Sequence, residues 1–189
     1  MTVVVFSGGG TGGHLYPALA IADALIRLRP DVRPHFVGAR RGIEARVLPE
    51  RGLPHTLLEV EGLSRTHALS NLRVLAHLGR ATWSLVRAFR RMKPSAIVLT
   101  GGYASAPAGL AGAALRLPIV VQEQNEQPGL TTKLLARWAT QIHLAYPEAA
   151  TKLPPGAREV ARTTGNPIRP PTDIARADAR AVFDLPADG

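Results

Sequence analysis

The chain has 189 residues, 46% of them hydrophobic and 20% charged, which fits a globular protein and excludes an intrinsically disordered one. Its 23 lysines and arginines against 14 acidic residues give a formal charge of +9, which favours an anionic partner: nucleic acid, a phosphorylated substrate or an acidic lipid surface. No cysteine is present, which excludes disulfides, thiolate metal sites and cysteine nucleophiles. No apolar run approaches the roughly 18 residues that span a bilayer, and no export signal precedes the first apolar run, so we expect a cytoplasmic chain.

Strand-like and helical patterns alternate along the sequence. Short apolar runs predict strands, in chain order, at residues 3–6, 35–38, 55–60, 96–99, 119–122, 141–144 and 159–163. Apolar residues at helical spacing predict helices at 17–28, 43–50, 71–92, from the glycines at 101–102 to residue 115, at 130–139 and at 173–183. This alternation predicts an α/β fold with a doubly wound parallel sheet.

Two helices carry more specific signals. Pro17 suits the first turn of its helix, where the missing N–H costs no hydrogen bond. In the longest helix, one stripe is apolar and another face is basic. The apolar residues are Leu75, Leu78, Leu85, Phe89 and Met92, and the basic ones are Arg73, Arg80 and Arg87.

A glycine-rich segment follows the first predicted strand. Its residues are Gly8, Gly9, Gly10, Thr11, Gly12 and Gly13. In a parallel sheet this turn lies at the carboxyl edge, where ligands bind. Glycines let backbone N–H groups approach a phosphate, and the next helix N-terminus adds partial positive charge. An anion-binding loop is therefore favoured over a simple tight turn.

The same glycines also match the dinucleotide-binding fingerprint. That fingerprint expects an acidic residue after the second strand, where it binds a ribose hydroxyl. Here the strand is followed by Arg40 and Arg41, which are able to hold a 2′-phosphate instead. An NADP-binding oxidoreductase domain is therefore an alternative.

Further candidate residues lie at this edge, on the start of the first helix and on the turn after the fourth strand. His14 stands at the helix start, where the dipole disfavours imidazolium and leaves a neutral ring able to accept a proton; a capping role is the alternative. Gly102 and Tyr103 follow the fourth strand, which should adjoin the first, and Ser105 there is a possible N-cap.

Four consecutive polar residues, from Gln122 to Asn125, end the fifth strand. Their side chains are suited to sugar hydroxyls, and Glu123 is a second candidate general base. A solvated loop is the alternative.

Four motifs occur in order along nearly the whole chain, to about residue 183. They are the glycine loop ending in His14-Leu15-Tyr16-Pro17, the Gly101-Gly102-Tyr103 turn, Glu123-Gln124-Asn125 with Gly129-Leu130-Thr131, and Gly165-Asn166-Pro167-Ile168-Arg169. Together they closely resemble the MurG family of peptidoglycan glycosyltransferases, glycosyltransferase family 28. The resemblance implies a GT-B architecture, in which two Rossmann-like domains face each other across a cleft.

The resemblance also implies an activity. Members of the family transfer N-acetylglucosamine from UDP-N-acetylglucosamine to the muramyl 4-hydroxyl of lipid I with inversion, giving lipid II, and generally need no metal or other cofactor. By the same resemblance, His14 and Glu123 are the candidate catalytic bases. The implied substrate-binding residues are Thr11, Gly12, Gly13, Gly102, Tyr103, Gln124, Asn125 and Arg169.

The sequence departs from the family in two ways. Gln122 stands where the family usually has histidine, so any role of that imidazole is absent. The chain also stops near the point where the family's donor-binding domain begins. We therefore expect a Rossmann-like acceptor-binding domain at residues 1–171, and a helix and the start of a linker at 172–189, inactive alone.

The resemblance implies a peripheral position on the cytoplasmic face of the plasma membrane. Four apolar residues of the long helix are candidates for membrane contact, near its arginines: Leu69, Leu72, Trp83 and Val86. Packing within the protein is the alternative for this group. A non-catalytic basic membrane-binding module is a further alternative for the whole chain. Nucleic acid is not expected, because only 5% of residues are aromatic and available for base stacking.

Overall fold

The computed structural model describes residues 1–62, 68–168 and 174–186. Seven strands form one sheet: β1 (Thr2–Ser7), β2 (Val32–Ala39), β3 (His55–Leu58), β4 (Ala96–Leu99), β5 (Ile119–Glu123), β6 (Gln141–Leu144) and β7 (Ala161–Thr163). Seven α-helices of the described residues accompany it: α1 (Gly12–Leu28), α2 (Glu44–Glu50), α3 (Ala68–Met92), α4 (Ala106–Ala114), α5 (Leu130–Leu135), α6 (Pro155–Arg158) and α7 (Arg176–Ala181).

All strand pairs are parallel, and the sheet order is β3-β2-β1-β4-β5-β6-β7. The predicted doubly wound parallel sheet is confirmed, as is the expectation that the fourth strand adjoins the first. The order of strands reverses between β1 and β4, with Ser7 paired to Leu99 near their carboxyl ends. This reversal opens the crevice in which ligands bind in such sheets.

The first helix begins earlier than its sequence predicts. Thr11 is extended and its carbonyl accepts the N–H groups of His14 and Leu15, so α1 starts at Gly12, inside the glycine loop. Pro17 therefore lies within the helix, and its predicted place in the first turn is wrong. The other predicted elements differ mainly at their ends, where helices and strands are least sharply defined.

Two apolar clusters cover the faces of the sheet. On one face, Phe6 stacks on Phe36 with ring centroids 5.5 Å apart, and Leu19 of α1 packs with them. On the other face, Leu85 and Phe89 of α3 are almost fully buried over the sheet. These contacts seat α1 and α3 on opposite faces, as a doubly wound fold requires.

The apolar stripe of α3 is buried only in its second half. Leu85 and Phe89 lie in the core, whereas Leu75 is 54% exposed. Leu75 and Leu78 line an open cavity instead of the sheet. None of the described helices combines the length and apolarity that crossing a bilayer needs.

The imidazole of His35 in β2 gives the fold a pH dependence. Burial lowers the pKa of His35 below its ordinary value, and the nearby charge of His55 acts in the same direction. A lowered folded-state pKa means that the unfolded chain binds the proton more tightly, so stability is lost as pH falls below the ordinary histidine range.

We expect His35→Gln to reduce this loss of stability at low pH, because glutamine does not titrate. Its amide still offers a polar partner to Thr56 Oγ1, which lies 2.9 Å from the ring Nε2 of His35. Urea unfolding at pH 8 and pH 5.5 measures the effect. A loss of the same size in both proteins would contradict it.

Candidate active site at the carboxyl edge of the sheet

Two glycine turns interlock where β1 and β4 end. A Cβ on Gly102 would lie 2.1 Å from the Gly9 carbonyl oxygen, and one on Gly8 would lie 1.8 Å from Thr100 Oγ1. Gly10 and Gly102 also have φ angles of 88° and 77°, which favour glycine. The two turns therefore pack backbone to backbone, and glycine is required by both space and conformation.

The ring of His14 is oriented by the neighbouring strands. Its Nδ1 lies 2.9 Å from the Thr100 carbonyl oxygen and 3.1 Å from Gln124 Oε1. Both partners are acceptors, so the proton belongs on Nδ1, and Nε2 carries the free lone pair. Gln124 Nε2 donates to the Gln122 carbonyl, which orients its amide oxygen toward His14. The half-buried imidazole is thus held in the tautomer that a general base needs.

Two hydroxyl groups brace the same region. Thr100 Oγ1 donates to the His14 carbonyl oxygen at 2.7 Å, which ties the start of α1 to the end of β4. Ser105 Oγ donates to the Gly102 carbonyl at 2.9 Å and makes no side-chain cap to α4. Ser105 therefore occupies the N-cap position of α4, as the alternative predicts, but its hydroxyl closes the preceding turn instead of capping the helix.

Glu123 organises the loop that follows β5. Its side chain is 2% exposed, and Oε1 accepts the backbone and side-chain N–H groups of Asn125 at 3.0 and 2.9 Å. Oε2 accepts the Gly129 N–H at 3.3 Å. Gln122 is also buried, so the solvated-loop alternative is wrong for these two residues. The carboxylate is engaged by its own loop, and this positions Gln124 against His14.

Tyr103 stands between the glycine loop and an adjoining cavity. A Cβ on Gly10 would meet the Tyr103 ring at 2.6 Å, so the ring lies directly against the loop. Burial raises the pKa of the Tyr103 hydroxyl, and the carboxylates of Glu44 and Glu61 act in the same direction. The hydroxyl therefore remains protonated and able to donate a hydrogen bond.

The cavity beside Tyr103 has a volume of about 510 Å³ and a largely apolar lining. The lining residues are Val60, Glu61, Asn71, Val74, Leu75, Leu78, Tyr103, Ala106, Leu130, Thr131 and Leu134. It lies between the first half of α3 and the starts of α4 and α5. An apolar ligand group bound there would adjoin the glycine loop.

Glu44 is a further residue of this region, and it is not among the residues predicted from the sequence. Its carboxylate is fully buried and accepts the Gly10 and Ala39 N–H groups at 3.0 and 2.7 Å. The signal in the sequence is an acidic residue shortly after the second strand, just beyond Arg40 and Arg41. This acid lies in α2, later in the chain than the dinucleotide fingerprint expects, and its side chain points back to the glycine loop.

Glu44 also removes the basis for a dinucleotide site. In that fold the ribose lies between the glycine loop and the end of β2. Here a Cβ on Gly9 or on Gly38 would strike the Glu44 side chain at 2.1 or 2.3 Å, so that space is filled. Arg41, one of the two arginines considered for a 2′-phosphate, pairs with Glu61 at 2.8 Å.

The remaining predicted site residues divide into two groups. Thr11, Gly12, Gly13 and Asn125 are exposed or half-buried near His14, where a ligand can reach them. The N–H groups of Gly12 and Gly13 belong to the first turn of α1, which has no intrahelical acceptors for them. Arg169 lies outside the described residues.

Comparison with known proteins identifies the class. The Glycosyltransferase family 28 N-terminal domain matches residues 4–144. The chain therefore belongs to this glycosyltransferase family, which confirms the family resemblance of its four motifs. The seven-stranded Rossmann-like sheet is the fold that its structural relatives share.

Individual members of the family are similar to this chain over most of its length. The chain is 44% identical over 175 residues to the UDP-N-acetylglucosamine--N-acetylmuramyl-(pentapeptide) pyrophosphoryl-undecaprenol N-acetylglucosamine transferase of Moorella thermoacetica, covering 93% of this chain and 46% of that protein. It is 43% identical over 190 residues to the protein of the same name from Salinibacter ruber, covering 98% and 50%. The crystal structure of Acinetobacter baumannii MurG superposes with a TM-score of 0.71 at 27% identity, covering 92% and 48%. The chain spans about half the length of these relatives.

The close contact of the two turns makes Gly102 intolerant of a side chain. Gly52 also has a positive φ, but nothing lies within 4 Å of its Cβ position, so it is the control for a positive φ without a close contact; Gly102 also has a ψ of 164°, which itself favours glycine. We expect Gly52→Ala to lower the free energy of unfolding by about 1–2 kcal/mol, the cost of the left-handed conformation. Gly102→Ala should lower it by a further ~1–3 kcal/mol, because the methyl group overlaps the Gly9 carbonyl. Urea unfolding of both variants measures the difference, and equal losses would contradict the interlock.

Proposed function

We propose that this chain is the acceptor-binding part of a transferase that moves N-acetylglucosamine from UDP-N-acetylglucosamine to the muramyl 4-hydroxyl of lipid I. The names of its relatives support this reaction. The observation that carries the proposal is the orientation of His14: its Nδ1 faces the Thr100 carbonyl and Gln124 Oε1, which leaves the Nε2 lone pair free, and its ring lies against the glycine turn at Gly101 and Gly102. The relatives are about twice as long, and we place the remainder of the donor site in the part of them that this chain does not match.

In the proposed reaction His14 is the general base. Its Nε2 takes the proton of the acceptor hydroxyl as that oxygen attacks the anomeric carbon of the donor sugar. The bond from this carbon to the UDP oxygen breaks, UDP leaves with the electron pair, and the configuration inverts. Nδ1–H stays bonded to the Thr100 carbonyl oxygen, which stabilises the imidazolium that forms.

Glu123 takes a different part in this proposal. Three N–H groups of its own loop already occupy its carboxylate, so it is poorly placed to receive a substrate proton. Its contribution is to hold Gln124 against His14 and to present Asn125 to the donor sugar. Of the two candidate bases, the geometry favours His14.

The glycine loop and Tyr103 complete the proposed acceptor site. The first-turn amides of Gly12 and Gly13 are free to meet diphosphate oxygens. Tyr103 donates from its protonated hydroxyl, and the apolar cavity beside it takes the start of the lipid chain. We place Arg169 near the donor diphosphate. We also propose that the acceptor-binding domain ends at residue 171, because no residue of the following helix α7 is buried against it.

Part of α3 is the proposed membrane-contacting surface. Leu72 and Trp83 are 72% and 62% exposed, and Arg87 stacks on the Trp83 ring at 4.6 Å. Val86 packs against the core and drops out of the predicted patch, and the side chain of Leu69 lies outside the described residues. With Arg73 and Arg80 exposed nearby, this surface suits an anionic bilayer and a peripheral position at the cytoplasmic face of the plasma membrane.

Replacing His14 tests the chemistry. In the protein as its gene encodes it, we expect His14→Ala to lower kcat by about 10²–10⁴, the usual contribution of a general base, with little change in KM for UDP-N-acetylglucosamine. Added imidazole should restore part of the lost rate. Release of UDP with purified lipid I measures both effects.

His55→Gln is the matched control, because His55 starts β3 and so lies at the opposite edge of the sheet. It should retain wild-type kcat. A His14→Ala protein with unchanged kcat would contradict the assignment of the base.

Membrane contact is tested by removing one exposed indole. We expect Trp83→Ser to weaken binding to phosphatidylglycerol vesicles about 10- to 100-fold, since burying an aromatic side chain contributes roughly 1.5–3 kcal/mol. Cosedimentation measures the binding, with and without lipid I in the bilayer. Lipid I should strengthen binding by the wild-type protein at equal surface charge.

Trp138→Ser is the control, because Trp138 is also exposed and also lies beside an arginine, Arg137 at 5.7 Å, but on another element. It should bind as the wild type does. Equal losses in the two variants would assign the effect to general surface apolarity rather than to α3. Equal binding with and without lipid I would contradict acceptor recognition.

A further inference from the structure

Glu44 is a fully buried acid that the mechanism above does not use. It is the first residue of α2, yet its side chain reaches back to the end of β2 and to the glycine loop. Oε1 accepts the Ala39 N–H at 2.7 Å and the Gly10 N–H at 3.0 Å, and Oε2 also lies 3.0 Å from the Gly10 nitrogen. One carboxylate therefore ties together two backbone segments that neighbour each other only in the folded protein.

Three glycines make room for this carboxylate. A Cβ on Gly9, Gly38 or Gly42 would approach a Glu44 side-chain atom to 2.1, 2.3 or 2.3 Å. These glycines come from the loop after β1, from β2 itself and from the turn before α2. Because all three surround one side chain, the space is shaped for it rather than left over from loose packing.

Burial of this acid is offset by hydrogen bonds rather than by an ion pair. No lysine, arginine or histidine of the described residues forms an ion pair with it. A buried carboxylate without its hydrogen bonds is strongly unfavourable, so the two amides and the carboxylate hold one another in place. Its position in the first turn of α2 is also favourable for an acidic group.

The bond between Glu44 and Gly10 affects the position of the proposed base, His14. Gly10 has a φ of 88°, its N–H points inward to Glu44, and the Tyr103 ring lies against its other side. The chain leaving Gly10 turns directly into Thr11, whose carbonyl accepts the His14 N–H. The direction in which α1 starts, and so the position of the imidazole, depends on where Gly10 is held.

We propose that Glu44 is a positioning residue of the transferase: as the internal anion of the glycine loop, it fixes Gly10 and thereby places His14. This inference rests on the proposed function. It also means that Glu44 already occupies the Gly10 amide, so this amide does not bind a substrate phosphate.

The test compares Glu44→Gln with Glu50→Gln in the protein as its gene encodes it. Both variants remove one acid from α2, but Glu50 is exposed. In Glu44→Gln the side-chain NH2 opposes the Gly10 N–H. We expect kcat to fall about 10- to 100-fold, with less than a threefold change in KM for UDP-N-acetylglucosamine, because misplacement of a base acts on the chemical step. Glu50→Gln should keep the wild-type kcat.

A second readout needs no catalysis. In 15N-glycine-labelled protein, the Gly10 amide proton should resonate downfield, as expected for a bond to a carboxylate, and should shift upfield in Glu44→Gln. Glu44→Asp keeps the charge but is one methylene too short to reach both amides, so a smaller fall in kcat is expected. If Glu44→Gln does not fold, the kcat of Glu44→Asp tests the positioning role instead.

The outcomes separate the two proposals. An unchanged Gly10 resonance in Glu44→Gln, or a kcat in the folded Glu44 variants equal to that of Glu50→Gln, would overturn the positioning role and leave the transferase proposal standing. A wild-type protein that transfers no sugar to lipid I would overturn the proposed function, and this inference with it.

Discussion

The parallel pairing of β1 with β4 is the constraint on which the site depends. It places Ser7 beside Leu99, so the glycine turns that follow the two strands begin side by side. Their backbones then approach so closely that Gly102 has no room for a Cβ next to Gly9. His14 follows the first turn, yet its ring is oriented by the Thr100 carbonyl at the end of β4. The imidazole is thus positioned by a strand more than 80 residues away in the chain.

Two buried carboxylates organise this edge from within. Glu44 binds the backbone of the glycine loop, and Glu123 binds the backbone of the loop after β5. In both cases an acidic side chain, withdrawn from solvent, accepts loop amides in charge-assisted hydrogen bonds. The loops are therefore ordered before any ligand arrives. Groups held in this way need little rearrangement when a ligand binds.

Much of the architecture could be predicted, because its signals are local. Runs such as Val3 to Phe6 are apolar throughout, as strands buried on both faces must be, and they alternate with helical patterns. The start of α1 could not be predicted, because Pro17 resembles a first-turn residue while the true start depends on the Thr11 carbonyl. The exposed half of α3 was equally hidden, since Leu75 and Leu85 share a stripe but face a cavity and the sheet respectively.

The sequence by itself determined the class of fold and the family, and it indicated the candidate site residues, because glycine turns and polar strand ends are written in consecutive residues. Only the tertiary structure decided how those residues divide their tasks. Glu123 reads as a candidate base in the sequence, and its three loop hydrogen bonds show that it is engaged elsewhere. Glu44 is visible in the sequence only as an acidic residue shortly after the second strand, because its partner Gly10 lies 34 residues away and meets it only when β1 and β2 pair.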